Sequence, residues 1–336
     1  MNYSKAWAKP ESLLFQTNNV RALMITNHHN DDLLQKLATL FSSFEELGIN
    51  ALILEVDYHF AFKSYPALQH PKHAITLEGA QLFAKKAKQH GITVIPLFHV
   101  LGNQSKGKSL SPLLAAYPEF DATPGYFTNN RGIHTREWDP LNEQLERIIF
   151  ASLEELVDAF SAPALHIGMG EIFLLGHQYS PSTRNNHPAV LFAYVTNVYR
   201  QFLVYSLNVS VLMFADRLID GMVHDFGPWE SSYTGSAAAI DLIPRDIVIC
   251  PLHFKPHRDY PSIPTFTQRG FRILPTCWND SKANKSFIEY CLSTNNEYLL
   301  GFMFSTANVQ TNEIPVYTPL VNGLSLIQAE STMFGT

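Results

Sequence analysis

The chain has 336 residues, 46% of them hydrophobic and only 16% charged, with a formal net charge of −6. That balance excludes the basic face a nucleic-acid partner requires, and no Lys/Arg run stands beside a helix to suit an anionic membrane surface. The length fits one α/β barrel without calling for a second domain.

The three cysteines, Cys250, Cys277 and Cys291, are odd in number and match no metal-ligand spacing, so no disulfide framework is expected. The first fifteen residues hold Lys5, Lys9 and Glu11 but no apolar stretch of signal-peptide length, and no segment approaches a membrane span. A cytoplasmic location is expected, with the oligomeric state open.

Strand and helix signals then alternate. An apolar run from Val20 to Thr26 reads as a buried strand. Asn30 offers an N-cap, with Asp31 and Asp32 in the favourable first turn. Leu33, Leu34, Leu37, Leu40, Phe41 and Phe44 follow at helical spacing until Gly48. Ala51 to Val56 is the second strand, Leu77 to Gln89 a helix ended by Gly91, and Thr93 to Phe98 the third strand.

A long excursion rich in Gly, Ser, Pro and aromatics precedes the clearest helix, whose apolar face is Leu145, Ile148, Ile149, Leu153, Leu156, Val157 and Phe160. Ala164 to Gly168 is the fourth strand, Pro188 to Leu207 mostly helix, and Val209 to Phe214 the fifth strand. Ile247 to Cys250, Arg272 to Pro275 and Tyr298 to Phe304 complete the strands. The later helices are placed at Ser262 to Arg269, Lys282 to Ser293 and Tyr317 to Gln328.

About eight short runs, apolar on both faces and nearly all followed by a helix, predict a single (β/α)8 TIM barrel over residues 1–336, with a short N-terminal extension to about residue 18. The long loops follow strands three, four and five, and so open on the C-terminal face where barrels hold their sites.

The segment His166-Ile167-Gly168-Met169-Gly170-Glu171 closes strand four. A carboxylate there, one step past a strand end and after flexible glycines, points into the top of a barrel. Partial desolvation raises such a carboxyl toward general-acid duty; an isolated Glu in a loop is otherwise a solvated charge. The same run is no dinucleotide fingerprint, since Phe173 stands where a third glycine belongs. No phosphate loop or nucleophile elbow appears. His28-His29 lie beside a helix cap, and His253 and His257 have Pro256 between them, so no metal and no cofactor are expected. Tyr58, Phe60, Phe62, Tyr117, Phe120 and Tyr126 fit either a ligand wall or loop packing.

The run HIGMGEIFLLG resembles the His-x-Gly-x-Asp-Glu signature of family 20 glycoside hydrolases, the β-N-acetylhexosaminidases, in a bacterial branch similar to the hexosaminidase D type. LEVDYHFAF after strand two, IPLFHVLGNQS after strand three, YPEF at Tyr117 to Phe120, ADRLID at Ala215 to Asp220, PWESS at Pro228 to Ser232, AIDLIPRDIVIC ending at Cys250, GFRILPTCW ending at Trp278 and LGFMFSTA ending at Ala307 agree in order and spacing. The resemblance implies the barrel and a mechanism in which the substrate's own 2-acetamido oxygen is the nucleophile. It makes Glu171 the proton donor to the leaving oxygen. It also implies a ligand site built from Glu55, Asn103, His166, Gly170, Phe214, Asp216, His253, Phe254, Trp278 and Ala307.

The departures share a direction. Gly170 stands where the family has its acetamide-orienting aspartate, and Phe254 lacks the hydroxyl of the family's tyrosine. Phe214, Leu252 and Ala307 replace tryptophan or other aromatic positions, and of Trp7, Trp138, Trp229 and Trp278 none remains to wall the pocket from strands five, six or eight. Each lost hydrogen-bond partner costs roughly 10²–10³ in rate. The expectation is therefore an altered pocket, roomier and more apolar, for a small molecule such as a modified glycoside or amino-sugar derivative. The alternatives are an inactive pseudoglycosidase that binds a ligand or partner, and a different reaction grafted on the barrel.

Overall fold

The computed structural model describes residues 13–26, 30–70 and 74–333. Trp7, the His28-His29 pair and the start of the predicted N-terminal extension lie outside the described residues.

Eight parallel strands form one sheet: β1 (Val20–Ile25), β2 (Ala51–Glu55), β3 (Thr93–Val100), β4 (Ala164–Gly168), β5 (Ser210–Phe214), β6 (Val248–Cys250), β7 (Thr276–Cys277) and β8 (Gly301–Ser305). Their spatial order is β6-β5-β4-β3-β2-β1-β8-β7. The seam between β6 and β7 is joined by Ile249 N donating to Arg272 O (3.0 Å), Leu274 N to Ile249 O (2.9 Å) and Thr276 N to Pro251 O (2.7 Å). These bonds close the sheet into the predicted barrel. The regular ladder of the seventh strand begins at Thr276, four residues after the start of the expected Arg272 to Pro275 run, with Pro275, which has no N–H to give the ladder, directly before it.

Helices α1 (Asp31–Ala38), α2 (Phe41–Glu46), α3 (Leu77–Gln89), α4 (Pro112–Ala116), α5 (Glu143–Phe160), α6 (Pro188–Gln201), α7 (Ser262–Thr267), α8 (Ser281–Ser293) and α9 (Thr318–Met333) accompany the strands. The first predicted helix divides in two at Thr39, whose hydroxyl donates to Lys36 O (2.7 Å) and competes with helix propagation. Asn30 caps α1 as expected, its side chain accepting from Leu33 N. After β5 the chain returns through a 3-10 turn at Ser236–Asp241 in place of a full α-helix. No helix among the described residues is long and apolar enough to cross a membrane.

Period-two alternation sorts the strand side chains into two layers. Leu23, Leu52, Phe98, Ile167, Val211, Ile249 and Phe304 face outward and merge with the helices into one large core. Ala22, Ala51, Ile53, Ile95, Ala164, Leu212, Val248 and Met303 face inward and fill the barrel, with Phe15 packed against them. Phe60, Phe62 and Phe120 are spent in the outer core, so they are packing residues and not a ligand wall.

Gly301 has φ +136°, and a Cβ there would lie 2.0 Å from the Val20 carbonyl oxygen, inside the β1–β8 ladder. The Gly301→Ala variant is expected to lose on the order of 3 kcal/mol of stability, read as a lower urea midpoint with an unchanged slope.

Candidate active site

Toward the C-terminal strand ends the inward-facing positions turn polar: Glu55 on β2, His99 on β3 and Ser305 on β8. Together with the loops above they enclose a cavity of about 310 Å³. The predicted residues Glu55, Asn103, Gly170, Glu171, Phe214 and Asp216 all line it, as do Phe254, Trp278 and Ala307.

Three expectations require correction. His166 faces the barrel interior on β4 but is fully buried beneath the Phe214 ring, with centroids 4.4 Å apart, and does not reach the cavity. Its Nδ1 accepts from Gly168 N (3.0 Å). Burial, with the neighbouring His99 charge, pushes it down to about 3, so it is a neutral packing residue. His253 turns away into the loops, where Nδ1 meets Glu230 Oε2 at 2.7 Å and Nε2 meets Ser262 Oγ at 2.8 Å. A third correction concerns tryptophan: Trp229, on the long loop after β5, does line the cavity. Loop sequence carries no periodicity from which its direction could be read.

Glu171 owes its position to the backbone. Gly168, Met169 and Glu171 all have positive φ (+67°, +62° and +54°), a tight left-handed run off the end of β4. Gly168 admits no side chain, since a Cβ would lie 2.9 Å from the His99 ring and 3.0 Å from its Cα. Three groups hold the turn. Asp216 Oδ2 accepts from Glu171 N (2.8 Å) and from Arg217 Nε (2.7 Å). Arg217 Nη2 donates to Pro228 O (2.6 Å) and Ser231 O (2.9 Å), which binds the loop after β5. Glu137 Oε1 accepts from the amides of Phe173 (2.5 Å) and Leu174 (2.7 Å). The Glu171 carboxylate itself, about two-fifths exposed, meets His134 Nε2 at 2.9 Å. His134 and Glu137 come from the irregular excursion after β3.

The absent aspartate has a geometric counterpart. A Cβ on Gly170 would lie 3.1 Å from Asp216 Oδ1 and 3.1 Å from Phe214 Cδ2. The Asp216 carboxylate thus occupies the space a side chain at 170 would enter. Its Oδ1 is buried without a hydrogen-bond partner in the protein. Burial raises the Asp216 pKa against the opposing Arg217 charge and the Glu171 N–H.

A second acidic group stands across the cavity. Asp57 Oδ1 accepts from His99 N (2.6 Å), Asp57 Oδ2 lies 2.9 Å from His99 Nδ1, and Glu55 Oε1 lies 4.0 Å from the same nitrogen. Burial opposes charge on His99, but the Asp57 carboxylate and its hydrogen bond outweigh it, with help from Glu55, and lift His99 to about 9. Glu55 is raised by burial to about 7, with Asp57 and Glu171 adding to the effect and His99 opposing it. His99 was readable from alternation, since it shares parity with the inward-facing Ile95 and Leu97; Asp57, on a left-handed turn at φ +42°, was not. Among the described residues, two groups have the donors and spacing to hold a metal: Glu55, Asp57 and His99, and Glu230, His253 and His257.

His99 should stay an imidazolium up to about pH 9, against an ordinary value of 6.5. The ion pair's contribution to stability is therefore fully present between about pH 3.8, the ordinary aspartate value, and about pH 6.5, and is lost as pH rises through about 9 or falls below the lowered Asp57 value. Asp57→Asn removes the largest supporting charge, so the His99 midpoint in an NMR titration should fall by at least about one pH unit.

No family model matches this sequence, and no curated protein matches it. Its structure is similar to solved family 20 enzymes. The exo-β-N-acetylglucosaminidase of Vibrio harveyi aligns with TM-score 0.64 at 13% identity, covering 92% of this chain and 54% of that one. The chitobiase of Flavobacterium johnsoniae aligns with TM-score 0.68 at 15% identity, covering 94% of this chain and 50% of that one. Dispersin B aligns with TM-score 0.57 at 14% identity, covering 92% of this chain and 98% of that one. The chain thus shares the barrel fold of family 20 β-N-acetylhexosaminidases, and it spans about half the length of the first two of these structures.

Proposed function

We propose that the cavity is the active site of a glycosidase in which Glu171 donates the proton to the leaving oxygen of a β-linked sugar other than a plain N-acetylhexosaminide. The observation that carries this reading is the Glu171 carboxyl on its rigid left-handed turn, in the cavity wall and in contact with His134. As the bond from C1 to the glycosidic oxygen breaks, the Glu171 proton passes to that oxygen and positive charge grows on the ring. Asp216 and Glu55 supply carboxylates for that charge, and water then adds to C1, releasing a proton. His134 is placed to return a proton to Glu171 from solvent.

The lining also argues about the substrate. It holds three carboxyl groups, Glu55, Glu171 and Asp216, against one cation, the His99 imidazolium, with no lysine or arginine, and Trp229, Trp278 and Phe254 present aromatic rings. Carboxylates beside aromatic faces favour a cation. With Gly170 and Phe254 where the related enzymes grip an acetamide, a free 2-amino sugar, protonated at neutral pH, suits the site better than its N-acetyl form. The solved structures of similar fold are described as β-N-acetylglucosaminidases and β-N-acetylhexosaminidases, at 11–15% identity, and that shared fold supports a sugar-processing reading.

The test is hydrolysis of β-glycosides bearing 2-ammonium, 2-hydroxyl or 2-acetamido groups. The 2-amino glycoside should be turned over fastest. Glu171→Gln should cut kcat/KM by roughly 10²–10⁴ for a poor alkyl leaving group, and much less for 4-nitrophenol, which needs little protonation. Robust turnover of the N-acetyl glycoside, abolished by Glu171→Gln, would overturn the altered-substrate reading. Calorimetric binding of these sugars with no turnover of any would make the chain a pseudoglycosidase.

A further inference from the structure

A second cluster of chemistry-bearing side chains lies outside the cavity, in the loops after β5 and β6. Glu230, from the loop after β5, is 97% buried. His253, just past β6, is 98% buried, and His257 follows four residues later. Glu230 Oε2 lies 2.7 Å from His253 Nδ1 and 4.0 Å from His257 Nε2, and the three donor atoms all fall within 4.8 Å of one another.

A plain Glu–His hydrogen bond accounts for the first contact. It leaves His257 Nε2 buried and without a hydrogen-bond partner in the protein, although it faces a carboxylate. Such an atom ordinarily finds a partner, so its orientation needs a cause.

The surroundings supply one. A histidine that ligates a metal through one nitrogen characteristically donates from the other to a protein acceptor, which sets tautomer and ring plane. His253 Nε2 has that contact with Ser262 Oγ (2.8 Å), at the start of α7. A ligating carboxylate is likewise fixed by its second oxygen, and Glu230 Oε1 accepts from Phe254 N (3.0 Å). The His257 backbone is tied at both ends, its N–H to the Tyr260 hydroxyl (3.1 Å) and its carbonyl to the Ser286 hydroxyl (2.6 Å). Phe226 packs against both imidazoles, with ring centroids 4.5 and 5.0 Å away. In a tetrahedral zinc site the ligand atoms sit about 3.4 Å apart, from metal–ligand distances near 2.1 Å. The observed 2.7 and 4.0 Å bracket that value.

We propose that Glu230, His253 and His257 form a binding site for a divalent transition ion of the zinc class, with the fourth position open to water on the partly exposed His257 side. Two imidazoles and a carboxylate select zinc, cobalt or nickel over calcium or magnesium, which demand oxygen-rich sites. The expectation against a metal rested on the histidine pair alone, with Pro256 between. The third ligand comes from a separate loop, 23 residues before His253, where spacing cannot reveal it. The site adjoins the cavity through chain neighbours, since Trp229 precedes Glu230 and Phe254 follows His253. Its ion would brace those two walls.

The experiment uses the full chain, stripped with a chelator and dialysed. Zn²⁺ titration by calorimetry should give one ion per chain with Kd on the order of 1 µM or below. Co²⁺ should give the intense visible bands of a tetrahedral site. His257→Ala, at a partly exposed position, should fold and weaken zinc binding at least about 100-fold, and Ser262→Ala should weaken it by about 10–100-fold. Zn²⁺ should raise the Tm of the wild type and leave that of His257→Ala unmoved. No stoichiometric zinc, or zinc binding untouched by His257→Ala, overturns the assignment; binding lost instead in His99→Ala moves it to the Glu55–Asp57–His99 group.

Discussion

The site depends on the carboxylate of Asp216. One oxygen takes the Glu171 amide and the Arg217 guanidinium, and the other is left bare. Arg217 is fully buried, and such a pair is retained only where both ions are compensated. Here the compensation builds the site: Arg217 Nη2 donates to carbonyls of the loop after β5, Nη1 donates to Ile172 O in the segment after β4, and the guanidinium stacks on Phe173, 4.5 Å from the ring centroid. One ion pair therefore sets the Glu171 turn, the Trp229 loop and the segment between them. Removing either partner would leave an uncompensated buried charge and release all three.

The rest of the cavity is an exercise in unequal carboxylates. Asp57 is held ionised by contact with His99, although burial opposes its charge. Glu55, one turn of the pleat away, is desolvated and raised to about 7. Glu171 reaches toward solvent and His134. For Asp57 and Glu55, environment thus separates the protonation behaviour of two acids that chemistry alone would make nearly equivalent.

The loops above the barrel do two kinds of work. One is structural, as where Glu137 clamps the amides of Phe173 and Leu174 and so fixes the segment beside Glu171. The other is lining: Asn103, Trp229 and Phe254 close the cavity from three separate loops. The strands beneath are too short and too uniformly apolar to encode this variety. They provide a fixed rim, and the loops decide what the rim encloses.

The barrel was legible in the sequence because strand and helix signals are local. Alternating apolar runs, Asn30 before Asp31, and the apolar face from Leu145 to Phe160 state their structure within a few residues, and the structure places them accordingly. Glu171, Asp216, Phe214 and Glu55 were legible for a related reason: each sits at or just past a strand end, where topology alone aims it into the barrel. His166, in the middle of β4, also faces the barrel interior yet is hidden by Phe214, and His253, just past β6, is drawn away by Glu230; both outcomes turn on which neighbour reaches first. His134, Glu137, Trp229 and Glu230 lie on irregular loops with no period to read. Their directions follow from long-range hydrogen bonds and packing between segments distant in sequence, which only tertiary structure brings together. Sequence by itself determined the scaffold and the rim, since backbone periodicity is a property of neighbours. The charge pairing and the lining were decided by tertiary structure, because an ion pair or a desolvated acid exists only once its surroundings have been assembled.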